Sequence, residues 1–242
     1  MNVEIGRITG VFRYPVKSMA GVSLNTANLG WHGLDGDRRF AFRRTADRSG
    51  FPWLSASRLP ELILYEPLAH AEAGDPVPAH VRTPDGRRLD LDGEELREEL
   101  SQKHRADLQL MRLDAGIFDE ASISVISLST IQQVEIEAGR QLDIRRFRPN
   151  IVLETFNGEP FGEDDWIGAT LVFGTDVAGP AISITIRNKR CVMVNLDPDT
   201  AEADARVMKA AVRLNGNNAG VYGTVTRTGE LSVGQSVFLR GE

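Results

Sequence analysis

Ile182-Ser183-Ile184-Thr185-Ile186-Arg187 is the most regular run in the sequence, and it leads directly into Asn188-Lys189-Arg190-Cys191. Apolar and polar side chains alternate with a period of two, which is the pattern of a β-strand with one face in a core. Further strands are predicted where short runs are rich in branched and aromatic residues. These are Val3 to Val16, Arg38 to Arg43, Leu62 to Tyr65, Leu108 to Met111, Val221 to Val225 and Ser236 to Leu239. The sequence therefore predicts a β-rich fold.

Three short helices are expected between these strands. Apolar spacing and stop signals place them at Gly93 to Lys103, from Ser127 or Ser129 to Gly139, and at Ala201 to Leu214. Because strands outnumber strand–helix–strand units, the favoured architecture is a closed or partly closed β-barrel with a few short helices, a β-rich α+β class. A domain boundary is expected near residues 114–118, which gives domains over residues 1–115 and 116–242. The segment Ala69 to Ala79 is interpreted as a surface excursion.

Composition excludes several classes of protein. The 242 residues carry a formal net charge of −6, which argues against a nucleic-acid-binding protein with a basic face. The residues Met1 to Arg7 contain no apolar signal core, and no stretch approaches the length of a membrane span. A single cysteine rules out an internal disulfide and any multi-cysteine zinc or iron–sulfur site. We therefore expect a cytoplasmic protein that binds neither nucleic acid nor membrane.

The single cysteine, Cys191, follows a cluster of cations (Arg187, Lys189 and Arg190) and precedes the turn Asp197-Pro198-Asp199-Thr200. Nearby positive charge favours the thiolate over the thiol, and only the thiolate is a good nucleophile or soft-metal ligand. The alternative, which is the commoner role of a lone cysteine in a reducing compartment, is a small buried hydrophobe. The residues around Cys191 leave both roles open.

Three other segments could contribute to one site. Tyr14-Pro15-Val16-Lys17-Ser18 offers an ammonium group and a hydroxyl at the end of a strand, and the turn Gly33 to Arg38 can aim its arginine into a cleft. Arg148-Pro149-Asn150 is predicted to begin a strand, and arginine forks bind phosphate or carboxylate oxygens. Each segment alone is more typical of an ordinary turn or strand edge. Together with Cys191 they predict an anion-accepting pocket with one sulfur donor, which suits a phosphate-bearing molybdenum pterin.

The same segments resemble the MOSC superfamily in order and spacing. They are Tyr14 to Ser18, Gly36 to Arg38, Phe147 to Val152, and Arg190-Cys191-Val192 through Asp197-Pro198-Asp199-Thr200. MOSC denotes the domain found at the C-terminus of molybdenum-cofactor sulfurases. The likeness covers essentially the whole chain. It is strongest to the two-part group that contains the mitochondrial amidoxime-reducing component and its bacterial relatives, in which an N-terminal MOSC-associated β-barrel precedes the MOSC domain.

The resemblance implies a role for each candidate site residue. Cys191 would ligate the molybdenum of the molybdenum cofactor (Mo-molybdopterin), and Asp119 would be the acidic residue near it. The pterin and its phosphate would be held by Lys17, Ser18, Arg38, Arg148, Asn150 and Arg190. Lys189 departs from the family pattern, since relatives often have a smaller polar residue there. Pyridoxal phosphate binding is a further property associated with the superfamily.

The activity that the resemblance implies is two-electron reduction of N-oxygenated small molecules (amidoximes, hydroxylamines, N-hydroxylated purines) to the amine or amidine plus water. One cysteine cannot support an iron–sulfur relay, so electrons are expected from a separate protein of the ferredoxin or flavoprotein reductase type. Two other functions stay open: a sulfur or cofactor carrier that uses Cys191 as persulfide or ligand, and a cofactor-binding module without turnover. The loops Ala46 to Trp53 and Asn157 to Asp165 are expected to shape the pocket rim.

Overall fold

The computed structural model describes residues 2–68, 77–175 and 178–241, so most of the predicted excursion at Ala69 to Ala79 lies outside the described residues. Within those ranges the structure contains sixteen β-strands and three α-helices. The first nine strands are β1 (Asn2–Arg13), β2 (Val22–Leu24), β3 (Thr26–Gly30), β4 (Gly33–Leu34), β5 (Phe40–Arg44), β6 (Glu66–Leu68), β7 (His80–Arg82), β8 (Arg88–Asp90) and β9 (Leu108–Arg112). The others are β10 (Ile123–Ser127), β11 (Ile151–Thr155), β12 (Thr170–Phe173), β13 (Ala181–Lys189), β14 (Asn218–Arg227), β15 (Gly229–Ser232) and β16 (Ser236–Arg240). The helices are α1 (Glu94–His104), α2 (Leu128–Ala138) and α3 (Ala205–Asn215).

Seven strands form a closed barrel in the order β1, β11, β10, β14, β13, β12 and β16, which returns to β1. The β10–β11 pair is parallel, and the other barrel pairs are antiparallel. β1 pairs with β11 on one side and with β16 on the other. The first strand therefore closes a barrel whose other strands all come after residue 122.

Inward-facing side chains of the strands fill the barrel. Those with no exposed surface include Val11, Ile123, Val125, Ile151, Leu153, Leu171, Phe173, Ile182, Val221 and Val237. The β1–β11 contact is close enough to require glycine at one position. A Cβ atom at Gly6 would stand 2.1 Å from the carbonyl oxygen of Glu154, so a larger side chain there would push the two strands apart.

Two more cores lie outside the barrel. One is built from residues 16–108, around the β5–β9 pair, the β6–β7–β8 sheet and α1, and it also takes in Leu196 from the second half of the chain. The other joins α2 and α3 through side chains such as Val134, Phe147, Val194 and Val207. Because β1 belongs to the barrel and Leu196 to the first of these cores, the two halves of the chain interlock. The domain boundary near residue 115 stays a prediction.

The three predicted helices are confirmed, with small shifts at their ends. α2 begins after Ser127, whose hydroxyl accepts the N–H of Thr130, and it ends at Gly139 in the left-handed conformation. α3 begins at Ala205 rather than near Ala201, because the Asp204 carboxylate accepts the N–H of Arg206 and caps the helix there. In the part of the chain that the structure describes, no helix is long and apolar enough to cross a membrane.

Two strand predictions are wrong in detail. Leu62 to Tyr65 is not a strand, because a 3-10 helix spans Pro60–Leu64, and proline is favoured in the first turn of a helix. Ile186 does not join Ile184 in the barrel interior. The pairing of β13 with β14 shifts register between these two isoleucines, so Ile186 turns outward.

Candidate functional site

A cleft of about 300 Å³ lies at the end of the barrel where β1 ends and β11 begins. The chain after β1 and the segment before β11 supply part of its wall, and the end of β13 supplies another part. The structure thereby brings together residues that are far apart in sequence. The cleft is lined by every predicted site residue except Asn150, namely Lys17, Ser18, Arg38, Asp119, Arg148, Arg190 and Cys191.

Cys191 stands between the end of β13 and a 3-10 helix over Val192–Asn195. Its side chain is exposed, so the alternative role as a buried hydrophobe is wrong. The backbone is held on both sides of the thiol. The N–H of Arg190 donates to the carbonyl of Asn217 at 2.8 Å, and the carbonyl of Cys191 accepts the N–H of Val194 at 3.1 Å. A fixed backbone therefore presents an accessible sulfur to the cleft.

Arg148 and Arg190 are the two arginines of the cleft that make no ion pair within the described residues. Both are partly buried and donate to main-chain carbonyls instead. Arg148 Nη1 reaches the carbonyl of Met19 at 2.8 Å, and Arg190 Nη2 donates to that of Phe147. Burial lowers the pKa of Arg148 to about 10 and also lowers the pKa of Arg190. Both stay cationic at neutral pH, so each brings to the cleft a guanidinium charge that pairs with no carboxylate of the described residues.

Arg38 is held by a network behind the cleft. Its Nη1 donates to the fully buried Asp37 and, at 3.2 Å, to Oδ1 of Asn150. Nδ2 of Asn150 donates to Asp37 Oδ2 at 3.0 Å and to the carbonyl of Phe12 at 3.2 Å. The Asn150 amide is thus fully engaged within the protein, and the structure places it as the support of Arg38 rather than on the cleft surface. The turn after Gly33 does aim Arg38 into the cleft, as predicted.

Lys17 is buried, and its ammonium group bridges two parts of the cleft wall. Nζ donates to the carbonyl of Ile117 at 3.1 Å and to Oδ1 of Asp119 at 2.7 Å. Burial lowers the pKa of Lys17, while the charge of Asp119 opposes that change. Asp119 itself is 58% exposed, so this ion pair runs from the protein interior to solvent. Beside it, the Ser18 hydroxyl contacts the sulfur of Met193 at 3.8 Å.

Tyr14 belongs to the motif Tyr14 to Ser18 but is not among the predicted site residues. It positions Arg38 and Arg148. Its buried ring lies 4.2 Å from the Arg148 guanidinium carbon and 5.0 Å from that of Arg38, measured to the ring centroid. Guanidinium groups stack favourably on aromatic faces. Gly21 makes room for the ring, since a Cβ there would stand 2.3 Å from Tyr14 Cε1. Tyr14 therefore fixes the positions of Arg38 and Arg148 without lining the cleft itself.

We expect Tyr14→Phe to leave the protein as stable as the wild type or to raise its free energy of unfolding by about 1 kcal/mol. The reason is that the buried Tyr14 hydroxyl has no hydrogen-bond partner in the described residues, and burial raises its pKa to about 12. Chemical denaturation measures the change. Tyr14→Ala is the matched control and should cost about 3 kcal/mol, because it removes the ring. A clear loss of stability in Tyr14→Phe would show that an ordered water binds the hydroxyl.

Further residues of the site escaped sequence analysis because their role depends on contacts across the fold. Asn188 is buried and donates from Nδ2 to the Ser124 hydroxyl at 3.0 Å. Tyr222 lines the cleft from β14, and burial raises its pKa. Arg146 is anchored by Asn195 and by Asp197, whose Oδ2 lies 2.6 Å from Nη2. For the hydrogen-bond network behind the cleft, the sequence pattern that indicates it is the adjacency of Asp37 and Arg38.

The donor set of the cleft fits a phosphate-bearing pterin cofactor with a soft metal. Phosphate groups carry between one and two negative charges at neutral pH, which matches the two unneutralised arginines, Arg148 and Arg190. Cys191 offers sulfur, the ligand atom that soft metal centres prefer. Among the described residues, no cluster of three or more histidine, cysteine, aspartate or glutamate side chains could hold a metal ion. The cleft thus combines one accessible thiol with a cationic cradle.

Together, the fold and the cleft define a β-barrel protein with a combined anion and thiolate site. Family models agree: the MOSC domain matches residues 100–238, and the MOSC N-terminal beta barrel domain matches residues 5–125. This chain belongs to the MOSC family, in its two-part form with an N-terminal barrel domain. Membership is consistent with binding of the molybdenum cofactor or with sulfur carriage. No curated protein matches the chain.

Three solved structures match the chain at low sequence identity, and one of them has a TM-score above 0.5. The YUAD protein from Bacillus subtilis is 14% identical, with all of both chains covered and a TM-score of 0.54. A hypothetical protein matches with 11% identity and a TM-score of 0.48, over 99% of this chain and 70% of its own. YiiM from Geobacillus stearothermophilus matches with 21% identity and a TM-score of 0.36, over 49% of this chain and 53% of its own. The likeness to the YUAD protein shows the fold alone.

Proposed function

We propose that this protein is a molybdenum-cofactor-dependent reductase of N-hydroxylated compounds that receives electrons from a separate redox protein. The observation that supports it best is the cleft itself, in which an exposed thiol at Cys191 shares one space with two arginines, Arg148 and Arg190, that pair with no carboxylate of the described residues. A site for a plain anion needs no soft ligand, and a nucleophilic cysteine needs no phosphate cradle. The combination suits a phosphate-bearing cofactor whose metal accepts a thiolate.

In this proposal some residues of the chain bind the cofactor directly, and others keep those residues in position. Arg148 and Arg190 bind phosphate or pterin oxygens with the N–H groups that the main-chain carbonyls leave free, and Arg38 adds a third guanidinium. Tyr14 and Asn150 keep these groups in place before any ligand arrives, which lowers the ordering cost of binding. Cys191 supplies the one ligand from protein to metal. When bound, the cofactor supplies a two-electron redox centre.

The proposed reaction breaks one N–O bond: R–NHOH, two electrons and two protons give R–NH2 and water. The electrons come from the external redox protein, and the substrate oxygen leaves in the water molecule. Protons need a path from solvent to the cleft. Asp119 is exposed, lines the cleft and accepts a hydrogen bond from the buried Lys17, so this pair is placed to exchange protons with solvent and to present them inside.

The proposal predicts that protein made in a cofactor-competent host carries about one molybdenum atom per chain and reduces benzamidoxime to benzamidine. Elemental analysis measures the metal, and dithionite-reduced methyl viologen serves as the electron donor, so no native partner is needed. Protein from a host that cannot make the cofactor is the control and should be inactive. A stoichiometric metal content without any reduction of N-hydroxylated substrates would contradict the reductase and favour a cofactor-binding module.

A sulfur carrier is the second candidate, and the exposure of Cys191 favours it, since a persulfide needs an accessible thiol. A carrier would gain one sulfur atom on Cys191 when incubated with a cysteine desulfurase and cysteine, and mass spectrometry detects that mass increase. The two functions separate cleanly, because carriage of sulfur does not require turnover of an N-hydroxylated substrate.

A further inference from the structure

One exposed apolar side chain lines the cleft that holds Cys191, and two more lie next to residues that line it. Ile186 lines it directly and is 41% exposed, because the register shift in β13 turns this residue out of the barrel. Val192, which is 49% exposed, lies between the lining residues Cys191 and Met193. Phe51 is 42% exposed, and its ring centroid lies 5.4 Å from the ammonium group of Lys17. Single exposed hydrophobes need no explanation, but three around one polar cleft form an apolar rim.

The backbone of Phe51 is held by two hydrogen bonds, although its side chain is exposed. Its carbonyl accepts Nη2 of Arg44 at 2.8 Å, and its N–H donates to the Ser49 hydroxyl at 3.3 Å. Arg44 is in turn paired with Asp47 and donates its own N–H to the carbonyl of Pro52. The loop Ala46 to Trp53 therefore presents an aromatic ring, from a fixed backbone, beside the lining residue Lys17, and its role in shaping the rim stays a prediction. Such a ring offers apolar area at little cost in conformational entropy.

The other predicted rim loop, Asn157 to Asp165, contributes differently. Four of its nine residues, Asn157, Glu159, Gly162 and Glu163, line a separate cavity near Ile5 and Trp166, beside the end of β11. Asp164 links the loop to the cleft, since its carboxylate lies 3.4 Å from Nε of the lining residue Arg187. The apolar part of the rim thus depends on Phe51, Ile186 and Val192.

We infer that Phe51 and this apolar rim select N-hydroxylated substrates with an uncharged, planar aromatic body, and that Phe51 is a specificity-determining residue. The inference rests on the proposed function and narrows its substrate class. The cationic interior disfavours a cationic body, while the flat ring of Phe51 packs best against another flat apolar group. A small aliphatic substrate with the same N-hydroxyamidine head gains nothing from this rim.

Benzamidoxime and acetamidoxime provide the test, because they share the reacting head and differ only in a phenyl or methyl body. In the holoenzyme, Phe51→Ala should raise KM for benzamidoxime about five- to tenfold with kcat nearly unchanged, and should leave KM for acetamidoxime within about twofold. Phe156→Ala is the control, since Phe156 is also exposed to solvent, at 63%, but lies beyond the far end of β11. Its kinetic constants should match the wild type with both substrates.

Two further measurements separate this inference from the proposed function. Calorimetric titration of the holoprotein with benzamidoxime, without an electron donor, should show five- to tenfold weaker binding in Phe51→Ala, whether or not turnover occurs. Molybdenum content should be the same in both proteins. The role of Phe51 would be overturned if Phe51→Ala raised KM equally for both amidoximes or left benzamidoxime binding unchanged. It would also be overturned if the wild type bound no benzamidoxime, or if a lower molybdenum content of the variant accounted for its kinetic change. Binding without turnover would overturn the reductase instead.

Discussion

Cys191→Ala should abolish benzamidoxime reduction, with a loss of at least a hundredfold, while the fold stays intact. The sulfur belongs to the one cysteine of the chain, so its removal takes away the thiol assigned to the metal and leaves the metal centre without its bond to the protein. Because the side chain is exposed, its truncation removes little packing, and the thermal midpoint of the cofactor-free protein should change by less than a few degrees. Turnover with dithionite-reduced methyl viologen measures the activity, and elemental analysis measures the bound molybdenum. Circular dichroism measures the fold and its thermal midpoint.

Cys191→Ser serves as the matched variant for this test. It keeps the size and polarity of the side chain but replaces a soft ligand by a hard, largely protonated one. We expect a loss of activity close to that of the alanine variant. Full activity in either variant would refute the assignment of Cys191 as the metal ligand, and an inactive protein that has also unfolded would point to a structural role of the thiol.

Arg148→Met should weaken retention of the molybdenum cofactor about a hundredfold and yet leave the cofactor-free protein within about 1 kcal/mol of the wild type, or more stable. Arg148 is partly buried, its pKa is lowered by burial to about 10, and it makes no ion pair in the described part of the chain. An uncompensated cation costs free energy in the empty protein, and methionine removes that cost at similar volume. The lost charge-assisted hydrogen bonds to the cofactor explain the weaker retention.

Arg146→Met is the matched control for Arg148→Met, because Arg146 is a buried arginine of the same segment with its partners in place. It donates to the carbonyl of Asn195 at 2.7 Å and pairs with Asp197. Its replacement removes the ion-pair partner of Asp197 and one of the two donors to the Asn195 carbonyl, which keeps the N–H of Asp204, and should destabilise the protein by about 2 kcal/mol. Chemical denaturation of cofactor-free protein measures both variants. Equal destabilisation, or normal molybdenum content in Arg148→Met after gel filtration, would contradict the assignment of Arg148 to the anion site.

Sequence reasoning locates the cleft residues well because the chemistry lies in short local patterns. Cys191 beside Arg190, and the positions of Lys17, Arg38 and Arg148 at strand ends, are local signals, and all of these residues line the cleft. Asn150 shows the limit of such signals. Its place next to Pro149 predicts a strand start, but whether its amide faces a ligand or Asp37 depends on a contact across 113 positions of the chain.

The fold shows the same difference between features set by local sequence and features set by contacts between distant parts of the chain. Helix ends are predicted to within a few residues, because Ser127, Gly139 and Asp204 are caps that act on adjacent backbone. The alternation Ile182, Ile184, Ile186 predicts a strand but not the register shift that expels Ile186, because register depends on the partner strand. Likewise, nothing in residues 2–13 indicates that β1 closes a barrel formed by the other half of the chain.

The place of β1 in the barrel has a consequence for how the protein forms during synthesis. Its neighbours are β11 and β16, and Asn2 pairs with Arg240. The ribosome therefore synthesises the first strand of the barrel long before the last, and the barrel cannot close until residue 240 is available. Until then the edge of β1 that pairs with β16 has no partner strand there, so the barrel closes late in the synthesis of this chain.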